Sequence, residues 1–205
     1  MRRDAIILLI SMVAIFSGCI QQESGQQVEQ TVSSGAWKAD GIIGPNEYSR
    51  SVHFHKPASN GYSGGDLVIS WKNDAHYLYM ALNGSTKGWI AIGFEPTEWM
   101  KDADIIMGTV ENGKAIVKDE YSTGNYGPHP DDTDLGGTFD ILEYGGREVG
   151  GNTVIEFKRK MNTGDRFDKA FVPGQVVPII WAMADTTMND AKHNVAIGKG
   201  SLELQ

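Results

Sequence analysis

Short runs along the chain alternate between apolar and polar positions with period two, and no run keeps a helical period for three turns. Leu67-Val68-Ile69-Ser70-Trp71 is one such run, and His76-Tyr77-Leu78-Tyr79-Met80-Ala81-Leu82 is the next. Between them Lys72-Asn73-Asp74-Ala75 reads as a hairpin turn. Further runs occupy residues 89–94, 105–110, 115–121, 139–144, 153–158, 176–184 and 195–204. They are rich in β-branched and aromatic side chains, which fit a pleated, half-buried surface. Asn112-Gly113, Gly145-Gly146, Gly150-Gly151 and Pro173-Gly174 punctuate them as turn pairs. The spacing predicts an all-β fold, an immunoglobulin-like antiparallel β-sandwich of about nine to eleven strands. Residues 122–137 form the longest polar connection, and a loop of that length in a compact domain is a candidate for function.

The pattern differs at the amino end. Arg2 and Arg3 precede an almost unbroken apolar run over residues 5–16, which stops at Ser17-Gly18-Cys19. A charged start, an apolar stretch shorter than the ~20 residues of a membrane span and small residues before a cysteine make an export signal. The Ser17-Gly18-Cys19 end resembles a lipobox, in which Cys19 becomes the lipid-bearing amino terminus, with Phe16 standing where an aliphatic residue is usual. An uncleaved amino-terminal anchor is the alternative, and both place the domain outside the cell membrane. Residues 1–18 are thus read as signal, 19–35 as a Gln- and Ser-rich tether and 36–205 as the folded domain. About fifteen tether residues reach on the order of 20 Å.

Composition narrows the function. The 205-residue chain carries a formal charge of -8 and shows no basic patch, which argues against nucleic acid. Its one cysteine, Cys19, allows no intrachain disulfide. The sequence holds no G-x-S-x-G elbow, no H-E-x-x-H and no phosphate loop, so hydrolase and nucleotide chemistry have no footing.

Gly88-Trp89-Ile90-Ala91-Ile92-Gly93-Phe94-Glu95-Pro96-Thr97, then Met100-Lys101-Asp102-Ala103-Asp104, resembles the signature of the DOMON family: a glycine-tryptophan strand, an F-x-P-T turn and M-x-x-A-D opening the next strand. Asp140-Ile141-Leu142, Phe157-Lys158-Arg159 with Asn162-Thr163-Gly164-Asp165 and Asp168, and Ile180-Trp181-Ala182 with His193 continue the resemblance in order. The resemblance implies a β-sandwich that binds haem or sugar, similar to the cytochrome domain of cellobiose dehydrogenase and the DOMON domain of dopamine β-monooxygenase. In haem-binding members a Met in the M-x-x-A-D segment and a late His are the axial ligands; here these positions are Met100 and His193.

That pair implies non-covalent haem b, since the chain has no C-x-x-C-H. Thioether and imidazole raise the potential and leave no open coordination position, which favours electron transfer with a partner protein over catalysis. Trp89, Phe94 and Trp181 are the expected cofactor contacts. Ile90, Ile92, Trp99, Ile106 and Met183 belong to the core or the haem slot, and faces stay unassigned because a one-residue slip exchanges them. Met100 lies between a polar turn and Lys101-Asp102, so it suits plain core less well than Met80 or Met107. A sugar or other small-ligand module without redox role is the alternative, since five tryptophans offer stacking faces. His53 and His55 share a strand face and could bind copper or zinc, but no third ligand is evident and a solvated face is preferred. His129 with Asp131, Asp132 and Asp134 reads as a polar lip over the pocket; its oxygens suit calcium but lack a known loop spacing. Asp165 and Asp168 are expected to organise the turn after Asn162, and Asn83-Gly84-Ser85 to form a tight turn rather than a glycosylation site.

Overall fold

The computed structural model describes residues 37–188 and 192–205. The residues read as export signal and tether, Cys19 among them, lie outside the described residues, and no described helix is long and apolar enough to cross a membrane. Ten strands form: β1 (Arg50–Lys56), β2 (Gly65–Asn73), β3 (Tyr77–Gly84), β4 (Trp89–Phe94), β5 (Asp104–Glu111), β6 (Lys114–Tyr121), β7 (Ile141–Val149), β8 (Asn152–Lys160), β9 (Val176–Ala184) and β10 (Ala196–Glu203). A 3-10 helix, Asp132–Leu135, interrupts the long connection between β6 and β7. The strands make two five-stranded antiparallel sheets, β1-β2-β3-β8-β7 and β10-β9-β4-β5-β6, so the expected β-sandwich is present. Nine strands coincide with the alternating runs. The tenth, β1, has mostly exposed positions and so shows little alternation.

Register sets which side chains meet. Ile90, Ile92 and Phe94 of β4 join Ile106 of β5 and Val177, Ile179, Trp181 and Met183 of β9 in the inter-sheet core. They pack there on Leu67, Ile69, Leu82, Ile155 and Phe157 of the first sheet. Fully burying each such side chain contributes about 1.5–3 kcal/mol. Trp71 of β2 donates its indole N–H to the Glu203 carbonyl of β10 at 3.0 Å, tying the two sheets at one edge.

Two turn assignments change. Gly145-Gly146 lies inside β7, not between strands. A Cβ on Gly145 would fall 1.9 Å from the Ala39 carbonyl oxygen, so the glycine admits the incoming chain. That segment is then held by buried Glu156, whose Oε2 accepts the N–H groups of Asp40 and Gly41 at 3.0 and 2.7 Å and whose Oε1 accepts the Tyr48 hydroxyl at 2.7 Å. Asn83 and Gly84 close β3 instead of making a tight turn, and Asn83 Oδ1 accepts from Asn152 Nδ2 at 2.8 Å. By contrast Asn112-Gly113 turns β5 into β6 with φ of 52° and 74°, the left-handed pair that a two-residue hairpin requires.

Candidate functional site: an apolar cavity on the outer face of the second sheet

Every residue of β4 is buried, on both faces. An antiparallel strand in a sandwich normally wets its outer face, so something else must cover β4. Its outward residues Trp89 and Ala91 join Ile105 and Met107 of β5 and Ala184 of β9 in a second, smaller apolar cluster, with Ile180, Ala182 and Met100 packed against it. Over this cluster lies a cavity of about 970 Å³. Its floor is built from small residues, Ala91, Gly93 and Ala182, between the bulkier Trp89, Ile105, Met107, Ile180 and Ile197. The continuous apolar run of β4 was the sequence signal for this second covered face.

Loops supply the walls. Asn125 to Pro130 of the long connection line one side, so the loop singled out for its length borders the cavity. Trp99 and Met100 come from the turn after β4, and Tyr62, Met188 and His193 from the segments preceding β2 and β10. Met100 sits in a turn where Glu95, Trp99 and Asp102 have φ of 48°, 53° and 61°, the left-handed region that these residues seldom adopt. Hydrogen bonds hold the turn: Thr97 Oγ1 to Asp102 Oδ2 at 2.6 Å, Asp102 N to Ser122 O at 2.8 Å and Met100 N to Asn125 O at 3.1 Å. This network presents the half-buried Met100 to the cavity.

His193 is also half-buried, with Nδ1 3.3 Å from the Tyr62 hydroxyl and its ring stacked on the Tyr62 ring at 6.0 Å. Burial pushes its imidazole below the ordinary histidine value, and the neighbouring His129 adds to this against a backbone hydrogen bond. The neutral ring that results is the form that ligates metals. His129 borders the same cavity; its Nδ1 lies 2.8 Å from Oε2 of buried Glu120, whose Oε1 accepts from Lys118 at 3.3 Å.

The structure therefore gathers Met100, His193, Trp89 and Trp181 around one cavity. Trp181 lines it while its ring packs in the core, 5.4 Å from Phe54. Phe94 is placed elsewhere: alternation turns it into the inter-sheet core, 5.2 Å from Phe171. Tyr62, Glu120 and the small floor residues were not singled out from sequence, because nothing local marks them as cavity-facing. His53 and His55 lie on an exposed strand face, as preferred, and their Nε2 and Nδ1 lie 2.7 and 3.0 Å from Asp66 Oδ1 across the ladder. Asp165 does order its turn, accepting from Phe167 N at 2.8 Å and Thr138 N at 2.6 Å. Asp168 goes further and pairs with buried Arg159 at 3.3 Å.

The sequence model of the DOMON domain matches residues 63–184. The chain belongs to the DOMON domain family. Among curated relatives, human DBH-like monooxygenase protein 1 is 31% identical over 146 residues, covering 69% of this chain but 23% of its own length. The chain thus spans under a quarter of that relative. Solved structures similar to this DOMON domain include the cytochrome b domain of pyranose dehydrogenase from Coprinopsis cinerea, at TM-score 0.48 and 15% identity, covering 68% of this chain and 76% of that one. The cytochrome domain of Myriococcum thermophilum cellobiose dehydrogenase gives TM-score 0.47 at 12% identity, with 75% and 82% covered.

Proposed function

We propose that this DOMON domain binds haem b non-covalently in the outer-face cavity, with Met100 and His193 as axial ligands, and serves electron transfer. The observation that carries the reading is that a thioether and a neutral imidazole, 93 positions apart in sequence, border one apolar cavity. The residues fit the group: soft and borderline donors for iron, a floor of Ala91, Gly93 and Ala182 that leaves flat room, and a largely apolar lining with polar and charged side chains among its walls. A bound haem would supply one-electron chemistry, with its potential raised by the thioether. The chain's part is to hold Met100 through its strained turn and to orient His193 against Tyr62. The role is that of a carrier rather than a catalyst, passing electrons to a partner protein. The amino-terminal pattern, with lipid on Cys19, supports an extracytoplasmic position tethered to the membrane.

The test is the visible spectrum of protein supplied with haem. We expect a Soret band and, after dithionite, sharp low-spin α and β bands. Met100→Ala and His193→Ala should each abolish the low-spin form. A wild-type low-spin spectrum in the double variant would sink the assignment. Sugar binding is the second reading, favoured by Trp99 and Tyr126, both exposed with rings 5.6 Å apart at the cavity's edge. Glycan binding by protein that takes up no haem would decide for it.

A further inference from the structure

The outer face of the first sheet carries three donor side chains that the electron-carrier role does not use. His53 and His55 stand two positions apart on β1, so both project from the same exposed face. Register places Asp66 of β2 directly opposite His55 and diagonal to His53. Both rings turn to one atom: His53 Nε2 lies 2.7 Å and His55 Nδ1 3.0 Å from Asp66 Oδ1. The backbone of Asp66 is fixed from β2's other side, its N–H donating to Ser85 Oγ at 2.7 Å and its carbonyl accepting from Ser85 N at 2.9 Å. The carboxylate is thus presented from a locked strand, while the two rings, 58% and 66% exposed, keep room to turn.

Among the described residues, these two rings are the only ionic partners of Asp66. Hydrogen bonds from His55 and then from His53 outweigh desolvation and hold its carboxyl below the ordinary range, so it stands ionised at neutral pH. As plain surface contacts the pairs would contribute little, because solvent and salt screen them. Two imidazoles and a carboxylate are, however, a donor set for transition metals. Bonds of about 2.1 Å meeting near the tetrahedral angle hold donor atoms roughly 3.4 Å apart. The two nitrogen–oxygen separations need to open by only about half an ångström to admit an ion. The exposed rings can swing about their side-chain bonds to bring their nitrogens to the same spacing.

We propose that His53, His55 and Asp66 form a surface site for a borderline divalent transition-metal ion, with copper(II) bound more tightly than zinc. Imidazole suits both ions, and copper(II) stands above zinc in the usual order of affinity. A single carboxylate does not satisfy calcium, which takes 6–8 oxygens. Three protein donors leave the outward coordination positions to water. Each neutral ring would keep its proton on the nitrogen turned away from the ion. The ion would fasten β1, an edge strand paired with β2 alone, whose inward Phe54 packs 5.4 Å from Trp181. None of the three donors lines the cavity, so the site stands independently of what the cavity binds.

The experiment is a calorimetric titration of the purified full chain, free of any histidine tag, with zinc and with copper(II), joined to electron paramagnetic resonance of the copper form. We expect one copper per chain, weaker binding of zinc, copper hyperfine splitting from two nitrogens, and a higher melting temperature with zinc than in chelator. His53→Ala and His55→Ala should each weaken binding by about tenfold or more, since a lost ligand costs at least what a lost outer-shell partner does. Asp66→Asn should weaken binding yet keep the two-nitrogen pattern. His76→Ala, an exposed histidine outside the site, should change nothing. Absence of binding heat with either ion at millimolar concentration would overturn the proposal. So would undiminished copper affinity in the His53→Ala, His55→Ala double variant, which would place the ion elsewhere. If the alanine variants fail to fold, His53→Gln with His55→Gln, which keeps the face polar, makes the same test.

Discussion

Arg159→Met is the most informative single perturbation of this fold. The arginine is wholly buried, with its guanidinium 5.3 Å from the Phe171 ring centroid and 6.0 Å from that of Phe94. Methionine keeps most of the aliphatic stem and so most of the packing against those rings. What disappears is the positive charge that pairs with Asp104 and Asp168, together with the hydrogen bond to the Lys169 carbonyl at 3.2 Å. Removing one partner of a buried ion pair costs about 3–5 kcal/mol, because the remaining charge stays buried and uncompensated. Domains of this size are stable by roughly 5–15 kcal/mol, so the variant should fold with a narrow margin. With a urea slope of roughly 2 kcal/mol per molar, the midpoint should fall by about 1.5–2.5 M. The assay is urea denaturation at matched pH and ionic strength.

The loss should also depend on pH with a definite sign. Burial raises the Asp168 carboxyl to about 6, even with Arg159 pulling it down, and burial raises Asp119 to about 7. For carboxyls raised in the folded state, the native protein binds more protons than the unfolded chain between the ordinary value near 4 and the raised value. Stability therefore falls as pH rises through that window. Without Arg159 the Asp168 carboxyl rises further, so the deficit of the variant should be small near pH 5 and largest above pH 7. A change below about 1 kcal/mol at pH 7 would refute the reasoning, because it would mean that the carboxylates find compensation without the guanidinium.

Two smaller perturbations test the cavity floor and a hairpin. A Cβ on Gly93 would meet Ile180 Cγ1 at 2.8 Å and Ile105 Cγ1 at 3.2 Å, so Gly93→Val should push both side chains into the cavity. We expect weaker haem uptake in a spectroscopic titration and a stability cost of about 1–3 kcal/mol; unchanged uptake would show that the floor is not the binding surface. Asp74 Oδ1 accepts from His76 N at 2.7 Å and Tyr77 N at 2.8 Å. Burial pushes this carboxyl up, but those two bonds outweigh it and hold it below the ordinary range. Its stabilisation is therefore present above the unfolded value near 4 and lost as pH falls through the folded value. Asp74→Ala should cost about 1 kcal/mol or less at pH 7 by urea denaturation, and the cost should shrink as the carboxyl takes up its proton in acid.

How far the residues announced themselves varies with the range of the interaction. Asn112-Gly113 was legible as a hairpin because the turn needs only its own two residues in left-handed backbone. Gly145-Gly146 has the same local look yet sits mid-strand, since its reason is the Ala39 carbonyl more than a hundred positions away. Asp132 looked like part of a solvated lip but is among the most buried polar residues, because the 3-10 helix folds it inward. Met100 and His193 were found through their place in an ordered set of motifs, as chemistry alone would not have joined two residues so far apart.

By itself the sequence determined the class of fold, nearly every strand, and the two residues from which the haem reading starts. Those follow from period-two alternation, local turn chemistry and motif order, all of which are written along the chain. Only the tertiary structure decided which face each strand presents. That parity sends Trp89, Ala91 and Gly93 to a cavity and Phe94, one position on, into the core. Only it decided that Asp104 and Asp168, from separate segments, share one buried arginine. A strand pattern carries no register, and like charges buried together become visible only when the chain has closed around them.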